Sequence, residues 1–237
     1  KMSKISIIIC TYNEVNFIKK TLYQIKKKIK NSEIIIVDDN SYDGTLEVLK
    51  KLKKKIKFTL IVRKNVRGLA TALSEGFKRA KGQYIGTFDA NTSDQINYFN
   101  KAIKKLDNGN DIAVLSRYVK GGADKRILLR TSTSFLINKL SKLILNIPFN
   151  DFTSGIFIMK KKIIKQIKIK PIGHGEWFIE FIYKIYQEKY KISEIPYIQK
   201  KDTNQGKSKS APNIIKFAIL GFKYFLAILT IKINNMR

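Results

Sequence analysis

Short uninterrupted apolar runs alternate with helical stripes through the first half of the chain, and this alternation limits the possible folds more than any other feature. Residues 6–10, 34–37, 58–62 and 84–88 read as strands. Residues 13–29 and 43–54 read as helices between them, with Asp43 or Thr45 as the N-cap of the second. A third helix carries Leu69, Ala72, Leu73, Gly76, Phe77 and Ala80 on one stripe, spaced three and four residues apart. A strand that is apolar at every position, not every second one, is covered on both faces. Such strands separated by helices make a mostly parallel sheet between two helical layers.

The second half is less regular. Residues 112–115 and 156–159 are strand-like, and residues 128–145 form a helix that stops before Pro148. A helix over residues 177–190 precedes a strand over 192–198, whose Pro196 marks a sheet edge or a strand end. Gly121 and Gly122 break the chain, and residues 202–212 read as a polar loop. There is no repeat and no linker between separately folding units. The expected organisation is one α/β domain over residues 1–212 and an amphipathic helix over 213–237.

With 237 residues, 44% of them hydrophobic, the chain can bury a core of ordinary size. It carries 47 Lys and Arg against 18 Asp and Glu, a net charge of +29. That excess fits an anionic partner or a lysine-rich surface equally well. The single cysteine, Cys10, excludes an intrachain disulfide and reads as a small buried residue. One histidine, His174, and no His/Cys cluster argue against zinc. No apolar leader follows the first residues, so no signal peptide is expected. Residues 214–231 are apolar but hold Lys216 and Lys223, each costing about 2.5–3.5 kcal/mol near a bilayer centre. Lying in the membrane interface avoids that cost, because lysines snorkel.

Acidic residues sit where two of the strands end. Asp38 and Asp39 close one apolar run; Asp89 closes another and is followed by Asn91 and Asp94. Ligands of open α/β sheets bind beyond the carboxyl ends of strands. Hard oxygens there suit Mg²⁺ or Mn²⁺ on a diphosphate, or ribose hydroxyls. A dinucleotide fold is unsupported, since no G-x-G-x-x-G follows the first strand. Gly206-Lys207-Ser208 mimics the end of a P-loop, but the glycine required five residues earlier is Lys201. Arg117 follows a strand end and can fork onto a phosphate. Arg130, Ser134 and Asn138 form a polar stripe on an apolar helix, which a solvated face explains as well. Residues 151–155 read as an ordinary polar turn.

Taken in order, these segments are more specific than any one of them. Thr11-Tyr12-Asn13-Glu14, Asp38 through Thr45, Arg67-Gly68-Leu69, Asp89-Ala90-Asn91, Ser116-Arg117-Tyr118 with Gly121-Gly122, Asp151 through Gly155, and Gly206 through Lys209 closely resemble family-2 glycosyltransferases. The branch they resemble is that of dolichol-phosphate mannose synthases and polyprenyl-phosphate sugar transferases, from about Ser6 to Lys209. The resemblance implies a GT-A nucleotide-sugar-binding fold and inverting transfer of a hexose, mannose or glucose first, from a nucleoside-diphosphate sugar to a polyprenyl or dolichyl phosphate. It implies Tyr12, Glu14, Asp38, Asp39 and Gly68 around the nucleotide. Asp89, with Asn91, takes Mg²⁺ or Mn²⁺ and the diphosphate. Arg117, Arg130 and Ser134 meet phosphates, Asn138 completes their helix, and Lys209 sits on a closing loop.

The resemblance also implies peripheral attachment to the cytoplasmic face of a membrane, directly or through an anchoring subunit; the lack of any nucleic-acid motif or aromatic–basic interleaving argues against nucleic acid as a partner. The chain departs from the family pattern at Cys10, where proline is usual, and at Asn91, where a second acid is usual. Ser93 replaces a glutamine and Thr203 an arginine. Asn91 keeps a carbonyl ligand but removes a charge; Asp94 is the nearest compensating acid. Three alternatives remain open at this level: a sugar or polysaccharide acceptor with Asp151 or Glu180 as base, a catalytically silent relative, and a nucleic-acid-binding protein.

Overall fold

The computed structural model describes residues 4–91, 94–168, 175–201 and 214–234, with side chains of the last segment from residue 218. The first strands and helices are β1 (Ile5–Thr11), α1 (Val15–Lys28), β2 (Glu33–Asp38), α2 (Thr45–Leu52), β3 (Thr59–Val62), α3 (Leu69–Arg79) and β4 (Tyr84–Asp89). They follow the expected alternation, with ends differing by a residue or two. Then come α4 (Ile96–Asp107), β5 (Ile112–Ser116), β6 (Ala123–Asp124), α5 (Leu128–Leu145), β7 (Phe157–Lys160), α6 (Lys161–Gln166), α7 (Trp177–Gln187), β8 (Ile192–Pro196), β9 (Ile198–Gln199) and α8 (Ile214–Asn234). The sequence reading gives no account of α4, α6 or β6.

A seven-stranded sheet runs in the order β3-β2-β1-β4-β7-β5-β8. Its pairs are parallel except those of β7, which is antiparallel to both β4 and β5. One reversed strand between β4 and β5 leaves those two pointing the same way, so their carboxyl ends share one edge with β1 and β2. Pro196 ends the edge strand β8 opposite Ser116. The expected single strand over 192–198 is instead two, because β9 leaves the main sheet to pair with β6.

Both faces of the sheet are buried, as the apolar strands require. Ile5, Ile7 and Ile9 pack with α1, α2 and α4, while Ile8 and Phe157 face the layer of Phe77, Trp177 and Phe181. On that side α3 approaches β1 closely: a Cβ on Gly76 would lie 2.5 Å from Ile8. α8 rests on α5 and α7. It adds Ile228 and Ile231 to the core and leaves Ile219, Phe222, Leu226 and Ile233 exposed on its other side. No helix among the described residues is long and apolar enough to cross a membrane.

Candidate active site

The turn after β2 is built around two buried carboxylates. Asp38 accepts hydrogen bonds from Thr11 Oγ1 (2.6 Å), the Ser41 amide (2.8 Å) and Ser41 Oγ (2.7 Å). Asp39 accepts from the Gly68 amide (2.9 Å) and from Arg63 Nε (2.7 Å). Gly68 has φ +139°, a conformation that side-chain-bearing residues rarely adopt, and this brings its N–H onto Asp39. Asp43 does the capping: its carboxylate accepts from the amides of Val15 (3.1 Å) and Thr45 (3.0 Å), fixing the starts of α1 and α2 together, although the N-cap position of α2 is Gly44. Tyr12 stands at the rim, with the Arg67 guanidinium 4.7 Å from its ring and Tyr42 edge-on at 6.1 Å. Glu14 is the N-cap residue of α1. The five residues expected around a nucleotide therefore share one end of the sheet, and Asp38 and Asp39 already shape the protein around them.

Asp89 lies across from Cys10 in the β1–β4 register. Its side chain reaches solvent at the carboxyl end of β4, where the surrounding protein still desolvates it in part. Desolvation raises its pKa; Gln95, Arg117 and Arg126 oppose this without cancelling it. Asn91 follows on the same turn. Asp94 pairs with Lys200 at 3.3 Å, at the surface. Burial, reinforced by the charge of Asp39, pushes the Cys10 thiol far up; the donors that Asp89 and Asn91 offer are hard oxygens. That set fits Mg²⁺ or Mn²⁺ and not a thiophilic ion.

A second cluster joins β5 to the turn before β7. The Arg117 side chain is 3% exposed. Its Nε and Nη2 fork onto Asp151 at 2.9 and 2.6 Å, Nη2 also donates to Thr153 Oγ1 (2.7 Å), and Nη1 lies 3.3 Å from Asp124. Arg126 forks onto the same Asp124 at 2.8 and 2.5 Å. Thr153 Oγ1 further contacts Ser134 Oγ (2.8 Å) and accepts from Asn138 Nδ2 (3.0 Å). Arg130 is half-buried in the first turn of α5.

Three expectations change here. The stripe of Ser134 and Asn138 is not a solvated face: both are buried, with Asn138 3% exposed, and both meet Thr153. Residues 151–155 are not a plain turn, because Asp151 is the buried counter-ion of Arg117. Asp151 is therefore not placed to act as a base, and Glu180 pairs with Lys184 on α7 at 2.8 Å. Asp124, Arg126 and Gln95 were missed by the sequence reading, and Thr153 was read only as part of a turn motif; no periodicity singles any of them out. Lys209, His174, Ser93 and Thr203 lie outside the described residues.

The model of the family described as Glycosyl transferase family 2 matches residues 6–168. The chain belongs to glycosyl transferase family 2. Among curated relatives of this family, a dolichol-phosphate mannosyltransferase of Pyrococcus furiosus is 32% identical over 82% of the chain and 56% of its own length. The chain thus spans little more than half of that relative. A dolichol-phosphate mannosyltransferase of Saccharomyces cerevisiae is 28% identical over 89% of the chain and 82% of its own length. Among solved structures, glucosyl-3-phosphoglycerate synthase from Mycobacterium tuberculosis, in complex with Mn²⁺, UDP and glucosyl-3-phosphoglycerate, superposes with a TM-score of 0.72. That likeness covers 97% of this chain and 80% of the other at 12% identity. The fold is GT-A-like: a mostly parallel sheet with helices on both faces, and a C-terminal helix.

Proposed function

We propose that this family-2 chain transfers a hexose, mannose first, from a nucleoside-diphosphate sugar to a polyprenyl or dolichyl phosphate at a membrane surface. The observation that carries this reading is the reversed polarity of α5. Its Ser134, Asn138 and Ser141 are buried, while Leu128 and Leu143 are 82% and 76% exposed. Leu145 is buried too, and Lys139 and Lys142 are exposed, but a helix that buries three polar side chains beneath leucines turned to solvent suits a lipid on one side and a phosphate on the other. The names of the two curated relatives point to the same acceptor.

A phosphate monoester has a second pKa of about 6 and is an anionic nucleophile at neutral pH. Its oxygen bonds to the anomeric carbon as the bond to the donor diphosphate breaks, so no general base is required. This agrees with Asp151 being locked in an ion pair. Tyr12, Glu14, Asp38, Asp39 and Gly68 frame the nucleotide. Asp89 and Asn91 hold Mg²⁺ or Mn²⁺, which when bound neutralises charge on the leaving diphosphate. Arg130 and Ser134 face the acceptor phosphate, and Lys209 belongs to the same region. Arg117, its fork engaged by Asp151 and Thr153, works chiefly by positioning that wall. Residues 1–212 are the catalytic unit and 213–237 the interfacial helix, docked on the cytoplasmic leaflet.

The test is transfer of labelled hexose from GDP-mannose or UDP-glucose to a polyprenyl phosphate, with and without Mn²⁺. Asp89→Ala should abolish transfer with little change in thermal stability. Near-normal turnover in that variant would reject the site, and transfer only to sugar acceptors would reject the lipid.

A further inference from the structure

Two arginines share the Asp124 carboxylate, and they are not equally free to bind a ligand. Every nitrogen of Arg117 is engaged inside the protein: Nε and Nη2 by Asp151, Nη2 again by Thr153, and Nη1 by Asp124 at 3.3 Å. Its side chain is 3% exposed. Arg126 forks onto Asp124 with Nε and Nη2 only, at 2.8 and 2.5 Å. Its Nη1, which carries two N–H donors, lies outside that fork, and the side chain keeps 16% of its surface open. The Asp124 side chain is 1% exposed and is also held by Arg117, so the fork fixes the plane of the Arg126 guanidinium. A planar cation held in place with one edge to spare is suited to binding a phosphate.

The placement of Arg126 selects the phosphate. It stands beside Arg117 at the carboxyl end of β5, because Oδ2 of Asp124 touches both guanidinium groups. The charges of both arginines reach Asp89, at the end of β4. The next two residues, Ile127 and Leu128, are 47% and 82% exposed and open the leucine-bearing side of α5. An amphiphile with an anionic head and an apolar tail therefore meets both halves of its site within three consecutive residues. The diphosphate of a soluble nucleotide has no use for the apolar half. We propose that Arg126 binds the phosphate of the lipid acceptor through Nη1, taking the part in acceptor selection that the sequence suggests for Arg117; this rests on the acceptor reading given above. No bond forms or breaks at Arg126. It holds the attacking phosphate, and an acceptor ending in a hydroxyl leaves the charge of that edge unmatched.

Two measurements on the purified chain test this: the KM for a short-chain polyprenyl phosphate at saturating nucleotide sugar, and the Kd of GDP or UDP in the presence of Mn²⁺. A charge-assisted bond to phosphate corresponds to about 10–100-fold in affinity. Arg126→Gln is expected to raise the KM for the lipid phosphate by that factor and to leave nucleotide affinity unchanged. A structural role alone would weaken both substrates together and lower the melting temperature, which overturns the proposal. Loss confined to the nucleotide gives Arg126 to the donor diphosphate, and an unchanged KM leaves it with no acceptor contact; each rejects the assignment. If the Gln variant fails to fold, Arg126→Lys decides. A single ammonium keeps a charge beside Asp124 but not a fork with an edge to spare, so the same selective rise in KM is expected, and a wild-type KM overturns the proposal. A wild-type chain that transfers hexose to no polyprenyl phosphate sinks the acceptor reading itself. Transfer that Asp89→Ala abolishes and Arg126→Gln spares leaves that reading intact and rejects only Arg126.

Discussion

Arg117 meets two carboxylates inside the protein, Asp151 and Asp124, and these fix where β5 ends. Removing one partner of a buried ion pair leaves the other charge uncompensated, at about 3–5 kcal/mol. Asp151→Asn should therefore lower unfolding free energy by that amount in a denaturant titration. A loss below about 1 kcal/mol would mean that solvent reaches Arg117. Asp124 links this to pH. Burial alone would raise its pKa, but the Arg126 bond and the charges of Arg126 and Arg117 outweigh burial and hold it below the usual carboxylate value. A depressed folded pKa contributes stability that is complete above the unfolded value, about 3.9, and is lost as pH falls from there through the folded value. Melting curves between pH 5 and 2 should show this loss in the wild type and a flatter profile in Asp124→Asn; parallel profiles would remove Asp124 from the acid transition. Little of this network was legible beforehand. Arg117 could be marked as a cation at a strand end, but Asp151 lies 34 residues away, and no local pattern connects them.

At the scale of elements, the approach of the chain at Gly122 is the tightest constraint on that wall. A Cβ there would lie 2.6 Å from the Ser116 carbonyl oxygen and 2.7 Å from that of Arg117, both backbone atoms that cannot turn aside. Gly122→Ala should cost about 1–3 kcal/mol as an overpacked site and displace Arg117, lowering turnover as well. Gly221→Ala on α8 is the control: its Cβ would meet only Thr133, at 4.0 Å, and helix propensity favours Ala by up to about 1 kcal/mol. Similar losses in both would show that the clash at Gly122 is relieved by local movement. α5 shows where reading by element stops. Its span, Leu128–Leu145, is the span expected from sequence, because the apolar run and Pro148 bound it locally. Which side faces inward was left open: the polar stripe is the buried one, since Thr153 provides a partner that the helix sequence does not reveal.

Over the whole molecule, the +29 charge and the exposed apolar sides of α5 and α8 act together. Each Lys or Arg reaching an anionic leaflet adds about 1 kcal/mol, screened by salt, whereas apolar insertion is not. Flotation with anionic vesicles should show binding that weakens as salt rises. Leu128→Glu with Phe222→Glu should reduce it further, with no fall in melting temperature, because both side chains are exposed. Binding unaffected by the double change would move the membrane contact elsewhere; no binding at any salt would reject direct docking in favour of a recruiting subunit.

The sequence by itself determined the layers, the parallel first half and the edge where ligands bind, because strand and helix periods and strand-end acids are local signals. It also placed Asp38, Asp39 and Asp89 at one edge, since parallel strands must end together. Only the tertiary structure decided that β7 runs backwards between β4 and β5 and carries Asp151 to Arg117, that α5 turns its polar face inward, and that Gln95 is buried beside Asp89. Each of these depends on contacts between segments far apart in the chain, where hydrogen-bond satisfaction and burial, not the local pattern, select the arrangement.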